Sequence, residues 1–269
     1  MKRNLLHGAN IEVSCLGLGT VKFGRNEQVK YPTAFDLPGD REILELLELA
    51  EAEGINLLDT APAYGTSEER LGGLLGSKRD RWVIVTKAGE EFVGGKSVFD
   101  FSEKAVTRSV ERTLQRLQTD RVECVLLHSD GNDIDILENS GAVAALEKLK
   151  REGKILSSGI STKTVPGGEL AIRMGLDAVM ITYNPWHTDE EPILDLAAES
   201  GSCSVFIKKA FGSGWFGKSD PSSPATDPVF DALQFIFQHP ASTAVVTGTL
   251  NPKHLRENAE AIKRIELKT

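Results

Sequence analysis

Short apolar runs alternate along the chain with longer stretches whose apolar residues recur every three or four positions. A short run rich in Val, Ile and Leu suits a buried strand, and the longer period suits a helix with one face against a core. The strand candidates are 15–19, 55–60, 81–87, 122–128, 155–161, 178–184, 203–209 and 243–248. Helical patterns follow them at 40–53, 67–76, 102–118, 141–152, 167–174, 190–200, 227–239 and 252–263. Strands that alternate with helices predict a parallel sheet covered by those helices. Residues 4–13, NLLHGANIEV, read as two short strands around HGAN, a hairpin placed to plug the bottom of a barrel.

Eight such units match the usual size of a (β/α)8 TIM barrel, although a doubly wound sheet shows the same alternation. No GxGxxG opens the first helix, which favours the barrel. The expectation is an α/β fold, a TIM barrel with a short N-terminal β-hairpin, forming a single domain over 1–269. Helix punctuation agrees: Ser67 with Glu68 and Glu69, Ser102 with Glu103, and Pro252 mark starts, while Gly54, Gly76 and Gly153 mark ends. Three connections, 20–40, 88–101 and 211–226, are longer than a compact fold needs. All follow strands, so in a barrel they rise from its C-terminal face as pocket walls or lids.

Composition narrows the partners. The 269 residues carry a net charge of -8 and a pI near 5.3, the wrong sign for a nucleic-acid backbone. Cys15, Cys124 and Cys203 are scattered among apolar neighbours, which suggests reduced buried thiols in a cytoplasmic protein. The start, MKRNLLHGANIEV, lacks the apolar core of a signal peptide, and no run is long enough to span a bilayer. Neither a membrane nor a nucleic acid is expected as partner.

The candidate chemistry sits at strand ends. In LLDTAPAYG, residues 57–65, the strand stops at Asp59, and Pro62 and Gly65 turn the chain so that Tyr64 shares the same mouth. Lys87 ends the next strand and His128 the one after. Taken singly, each has an ordinary structural explanation: a turn cap, a snorkelling lysine, a satisfied core histidine. On one face they make a proton-transfer site. Lys87 beside Tyr64 favours the phenolate, Asp59 keeps the ammonium charged and oriented, and the phenol can then pass a proton near neutrality.

LLDTAPAYG, VTKAG and VLLHSD resemble the strand-end motifs of the aldo-keto reductase superfamily, and the resemblance runs from LGLGT to GTLNPKHLRENAEA. It implies a barrel that binds NADPH, or less often NADH, without a Rossmann fold and passes hydride to the carbonyl carbon of a small molecule. By the same resemblance, Tyr64 is the general acid, Lys87 and Asp59 tune it, and His128 orients the carbonyl.

The cofactor set it implies is Gly19, Thr20, Asp59, Ser161, Thr162, Met180 and Lys208 around the nicotinamide. Lys209 and Ser213, with the backbone of Gly212 and Gly214, would face the pyrophosphate, Phe211 of the same run completes the cofactor set there, and Gly248, Thr249, Asn251, His254, Glu257 and Asn258 would lie at the adenosine end. Several positions depart from the family pattern. Thr162 stands for an asparagine, Met180 for a glutamine and Lys208 for an aromatic that stacks on nicotinamide. Gly248 and His254 replace the usual lysine and arginine, with Lys253 and Arg256 near enough to substitute, so NADPH is retained ahead of NADH. Loops 20–40 and 88–101 are expected to wall the substrate pocket. Two other readings stay open: a Schiff-base barrel lyase using Lys87 or Lys208, and a non-catalytic NADP(H) sensor.

Overall fold

Eight parallel strands taken in chain order close on themselves into a barrel. The structure, a computed structural model, describes residues 1–29, 34–212 and 227–267. A hairpin of β1 (Arg3–Leu6) and β2 (Ile11–Ser14) leads into β3 (Leu16–Gly19), helix α1 (Val21–Gly24), α2 (Asp40–Ala52), β4 (Leu57–Asp59), α3 (Ser67–Leu75) and β5 (Val83–Ala88). A second hairpin follows, β6 (Glu90–Val93) and β7 (Lys96–Phe99), then α4 (Glu103–Arg116), β8 (Val122–His128), α5 (Asp133–Glu138), α6 (Ala142–Arg151) and β9 (Ile155–Ser161). The chain finishes with α7 (Val165–Arg173), β10 (Ala178–Thr182), α8 (Glu191–Ser200), β11 (Ser204–Lys208), α9 (Pro228–Gln238), β12 (Ser242–Thr247) and α10 (Pro252–Glu266).

The strands are apolar on both faces because both are buried. Leu57, Val85, Leu126, Met180, Phe206 and Ala244 fill the interior, while Leu58, Ile84, Val125, Val179, Ile207 and Val245 belong to the larger core between barrel and helices. The first hairpin closes the bottom, with Leu6 and Val13 joining the interior cluster. His7 N donates to Ser204 Oγ at 2.9 Å and Ala9 N to Ser157 Oγ at 2.9 Å, so the hairpin is bonded to two strands as well as packed on them.

The barrel, its hairpin plug and the order of units match the sequence reading. Ser102 caps α4 by accepting from Ala105 N, Pro252 opens α10, and Gly54, Gly76 and Gly153 take positive φ at helix ends. Ser67 is different. Thr66 holds the cap position, and the Ser67 hydroxyl turns inward to donate to Thr20 Oγ1 at 2.8 Å. The connection 88–101 is not an irregular loop: it folds as β6 and β7 around Gly94 and Gly95, both at positive φ as a two-residue hairpin turn requires. The short helices α1 and α5 also went unread, because neither is long enough to show a period. No helix among the described residues is long and apolar enough to cross a membrane.

Candidate active site

The strand register brings the polar residues together. Asp59 pairs with Val85 on β5, and Lys87 lies two residues further along that strand; Lys87 pairs with Leu126 on β8, and His128 lies two further again. Alternate residues share a strand face, so Asp59, Lys87 and His128 continue the inward rows of Leu57, Val85 and Leu126. They take over from the hydrophobic interior where the barrel opens.

Lys87 is 1% exposed. Its ammonium donates to Asp59 Oδ1 at 2.5 Å and to the Thr60 carbonyl at 2.9 Å, and lies 4.7 Å from the centre of the Tyr64 ring. Burial alone would discharge this amine, but Asp59 and Tyr64 outweigh it and hold Lys87 above its ordinary value. Tyr64 ends a 3-10 turn, Pro62–Tyr64, with its hydroxyl 3.5 Å from Asp59 Oδ2. That turn is clamped by α1: a Cβ on Gly24 would lie 2.4 Å from the Tyr64 carbonyl, and one on Gly65, at φ +62°, would lie 2.1 Å from the Gly24 carbonyl. Thr20 locks the same corner, since its N and its hydroxyl both donate to the Asp59 carbonyl at 2.9 Å.

His128 stands edge-on to Tyr64, with ring centres 6.4 Å apart. Its Nδ1 is 2.6 Å from Glu90 Oε2. Burial lowers the histidine's pKa and Lys87 and Lys208 add to that, while Glu90 opposes it. Glu90 itself is brought down to about 2: burial works against this, but His128, Ser97 and Arg25 prevail. The hairpin alternates as a strand should. Glu90 and Phe92 face the site, the latter under the Arg25 guanidinium at 3.6 Å, and Glu91 turns away to pair with Arg112 on α4. Glu90 was missed in the sequence. Its signal was the Gly-Gly pair between two β-prone runs, which makes the stretch after Lys87 a hairpin and sends Glu90 inward.

Lys208 does not point outward. It follows Phe206 on the inward face of β11, and its ammonium donates to Ser161 Oγ at 3.0 Å and the Thr162 carbonyl at 2.7 Å. Burial, with Lys209 and Lys87 nearby, pulls it down to about 8 against the opposing charge of Glu190. Met180 lies in the interior cluster and offers no amide. Thr162 Oγ1 is buried without a hydrogen-bond partner, which in a folded interior marks a position awaiting one.

The remaining positions line the barrel rim. A Cβ on Gly19 would lie 3.7 Å from Gly248 Cα, so β3 and β12 meet closely at their mouths. Lys209 takes φ +57° and its carbonyl accepts from Gly212 N at 2.9 Å, a tight turn that carries half-buried Phe211; Ser213 and Gly214 lie outside the described residues. Asn184, also missed, holds that turn through Nδ2 to the Lys209 carbonyl at 3.0 Å. At the start of α10, Thr249 Oγ1 accepts from Asn251 N, and Asn251 Oδ1 caps the helix through Lys253 N. Asn258 is buried and donates to Thr247 Oγ1 at 3.3 Å. His254 is exposed, and Lys253 reaches Glu257 at 3.7 Å one turn on.

The family model described as the Aldo/keto reductase family matches residues 15–231. The chain is 28% identical to a D-threo-aldose 1-dehydrogenase of a Pseudomonas species, over 94% of this chain and 90% of the relative. It is 27% identical to the L-galactose dehydrogenase of Arabidopsis thaliana, over 97% and 88%. A solved structure from Pseudomonas aeruginosa, described as an aldo-keto reductase, is 48% identical and superposes with a TM-score of 0.86 over 98% of this chain and 95% of that one.

Proposed function

Since the chain belongs to the aldo/keto reductase family, and with it to the nicotinamide-dependent oxidoreductases of small carbonyl compounds, we propose that Tyr64 transfers the proton in that reaction under the control of Lys87 and Asp59. The observation that carries this is the buried contact of Lys87 with Asp59 at 2.5 Å beside the Tyr64 ring. A fixed ammonium stabilises the phenolate more than the phenol, so it lowers the work of releasing the Tyr64 proton. Asp59 holds that ammonium in place and keeps it charged. His128, the next inward residue, orients the reacting oxygen. The four groups are held by strands and a clamped turn, so no reorganisation is needed as charge develops.

The residues present fit a nicotinamide. Thr162 Oγ1 is a buried polar atom without a partner, beside the carbonyl that Lys208 already binds, and a carboxamide supplies both donor and acceptor for such a place. Ser161, Thr162, Met180 and Lys208 would hold the ring. Gly19, Thr20 and Asp59 would border it. Lys209, Phe211 and Gly212 would lie along the pyrophosphate, with Ser213 of the same run beyond the described residues. Gly248, Thr249, Asn251, His254, Glu257 and Asn258 would surround the adenosine. When bound, the cofactor supplies the hydride for the carbonyl carbon. Lys253 and Arg256 make NADPH the favoured form.

The test is a cofactor titration by fluorescence, followed by a panel of aldehydes and ketones read at the nicotinamide absorbance. Turnover with at least one carbonyl is expected, whereas binding without turnover would leave a sensor. Borohydride added with a carbonyl but no cofactor should leave the protein mass unchanged; an adduct on Lys87 or Lys208 would favour a lyase.

A further inference from the structure

We infer that Lys208 discriminates between the redox states of the cofactor. Its ammonium, fixed beside the place of the nicotinamide, repels the cationic ring of the oxidised form and not the neutral ring of the reduced form, so the site binds the reduced cofactor more tightly. The inference rests on the reductase reading. Lys208 is the last residue of β11 and, two places after Phe206, faces the barrel interior. Its Nζ donates to Ser161 Oγ at 3.0 Å and to the Thr162 carbonyl at 2.7 Å, so a flexible stem is tied down at its charged end, at the mouth of β9. The residue is half-buried and open to a ligand. Thr162 also carries the buried Oγ1 that has no partner. A carboxamide that satisfies that hydroxyl therefore sits within one residue of a fixed cation.

Nothing in contact with this ammonium cancels its charge. Both of its hydrogen-bond partners are neutral, and the two acids that attract it, Glu190 and Asp133, are committed elsewhere. Glu190 Oε2 accepts from Thr182 N at 3.1 Å, and its other oxygen lies 3.4 Å from His187 Nε2. Asp133 Oδ2 accepts from Lys163 N, Thr164 N and the Thr164 hydroxyl. Lys87, by contrast, is held against Asp59 at 2.5 Å. Burial brings Lys208 down only to about 8, so at neutral pH it stays charged. Oxidised nicotinamide is a pyridinium with a positive charge, and the reduced ring is neutral, while the phosphates and sugars are the same in both. Attraction of the lysine for the phosphates is common to the two forms and cancels in their ratio; repulsion of the ring does not. Even at about 10 Å and an effective dielectric constant of about 20, that repulsion amounts to about tenfold in affinity. The protein would then load with reduced cofactor against an excess of the oxidised form, and release the oxidised form readily after turnover.

The test is isothermal titration calorimetry of the full-length protein at neutral pH with NADPH, NADP+, NADH and NAD+, and with 2'-phospho-ADP-ribose, which lacks the nicotinamide. The wild type should bind each reduced cofactor at least about tenfold more tightly than its oxidised partner. The factor should be the same in both pairs, since the ring and not the 2'-phosphate is discriminated. Lys208→Met removes the charge at nearly constant length and should lower the factor about tenfold. Lys208→Gln, a second neutral variant should the first fail to fold, should do the same, and Lys208→Arg should keep the factor. Affinity for 2'-phospho-ADP-ribose should stay within about threefold between wild type and the neutral variants. A lysine that only props Ser161 and Thr162 would weaken both redox forms equally in the neutral variants and leave the factor unchanged, which overturns the proposal. A wild-type factor near one overturns it too, as does 2'-phospho-ADP-ribose weakened as much as NADPH, which would assign the cation to the phosphates. Failure of every nicotinamide cofactor to bind would overturn the reductase reading and this inference with it, whereas binding of both redox forms with equal affinity removes this inference alone.

Discussion

Lys87 and Asp59 form a buried ion pair at 2.5 Å between neighbouring strands, with 1% and 4% of the two residues exposed. Removing one partner strands the other charge in the barrel. Lys87→Met should destabilise the protein by about 3–5 kcal/mol, the cost of an uncompensated buried charge. Adding Asp59→Asn should restore much of the stability but not the rate, measured by urea denaturation and turnover. Without the ammonium the apparent pKa of the catalytic acid should rise, because phenolate loses its stabilising charge. An unshifted pH–rate limb with normal activity would make the pair structural only.

Tyr64→Phe removes one hydroxyl from a clamped turn and leaves the ring beside Lys87. Carbonyl reduction should fall by about 10²–10⁴-fold, the usual worth of general acid catalysis, with cofactor affinity within a few-fold. Retention of more than half the wild-type rate would remove Tyr64 from the mechanism.

Lys208 gives a stability signature in the cofactor-free protein. Its folded value, about 8, lies below the ordinary 10.5. Between those values the unfolded chain binds a proton that the folded chain does not, so this residue makes stability rise with pH across that window. Below it both states are protonated, and the folded state carries the cost of a poorly hydrated ammonium. The stability of wild type relative to Lys208→Met should therefore grow from about pH 8 to about pH 10.5 and level off above. Parallel urea-denaturation midpoints for the two proteins across that range would refute it.

Cofactor discrimination should be weak. Lys253 is drawn to Glu257 at 3.7 Å, and the carboxylate adds charge of the same sign as a 2'-phosphate. NADPH should be preferred over NADH by less than about 100-fold, under roughly 2.7 kcal/mol, and the gap should narrow with salt because the contacts are exposed. Glu257→Gln should widen it by releasing Lys253. Fluorescence titrations of both cofactors at low and high salt read all three effects, and a large salt-independent preference would point to a buried cation.

Much of this was legible from the chain. The barrel could be read because its strands are buried on both faces and its helices on one, so the two patterns differ at every turn of the sequence. Asp59, Lys87 and His128 could be read because each breaks an apolar run at its C-terminal end. Residues whose role depends on an approach from elsewhere could not. Glu90 is one acid among many until the hairpin turns it onto His128, and Ser67 looks like a cap until its hydroxyl is found on Thr20.

The sequence by itself determined the alternation of elements, the plugging hairpin and the inward row of polar strand ends, since these follow from local periodicity and burial. Only the tertiary structure decided that Lys208 turns in toward Ser161 and Thr162, that Asn258 is spent on Thr247, and that a carboxylate stands against His128. The reason is physical. Which face a residue takes is set by its own neighbours in the chain, but hydrogen-bond partners and local charge are set by strand register and barrel closure, which bring together residues far apart in sequence.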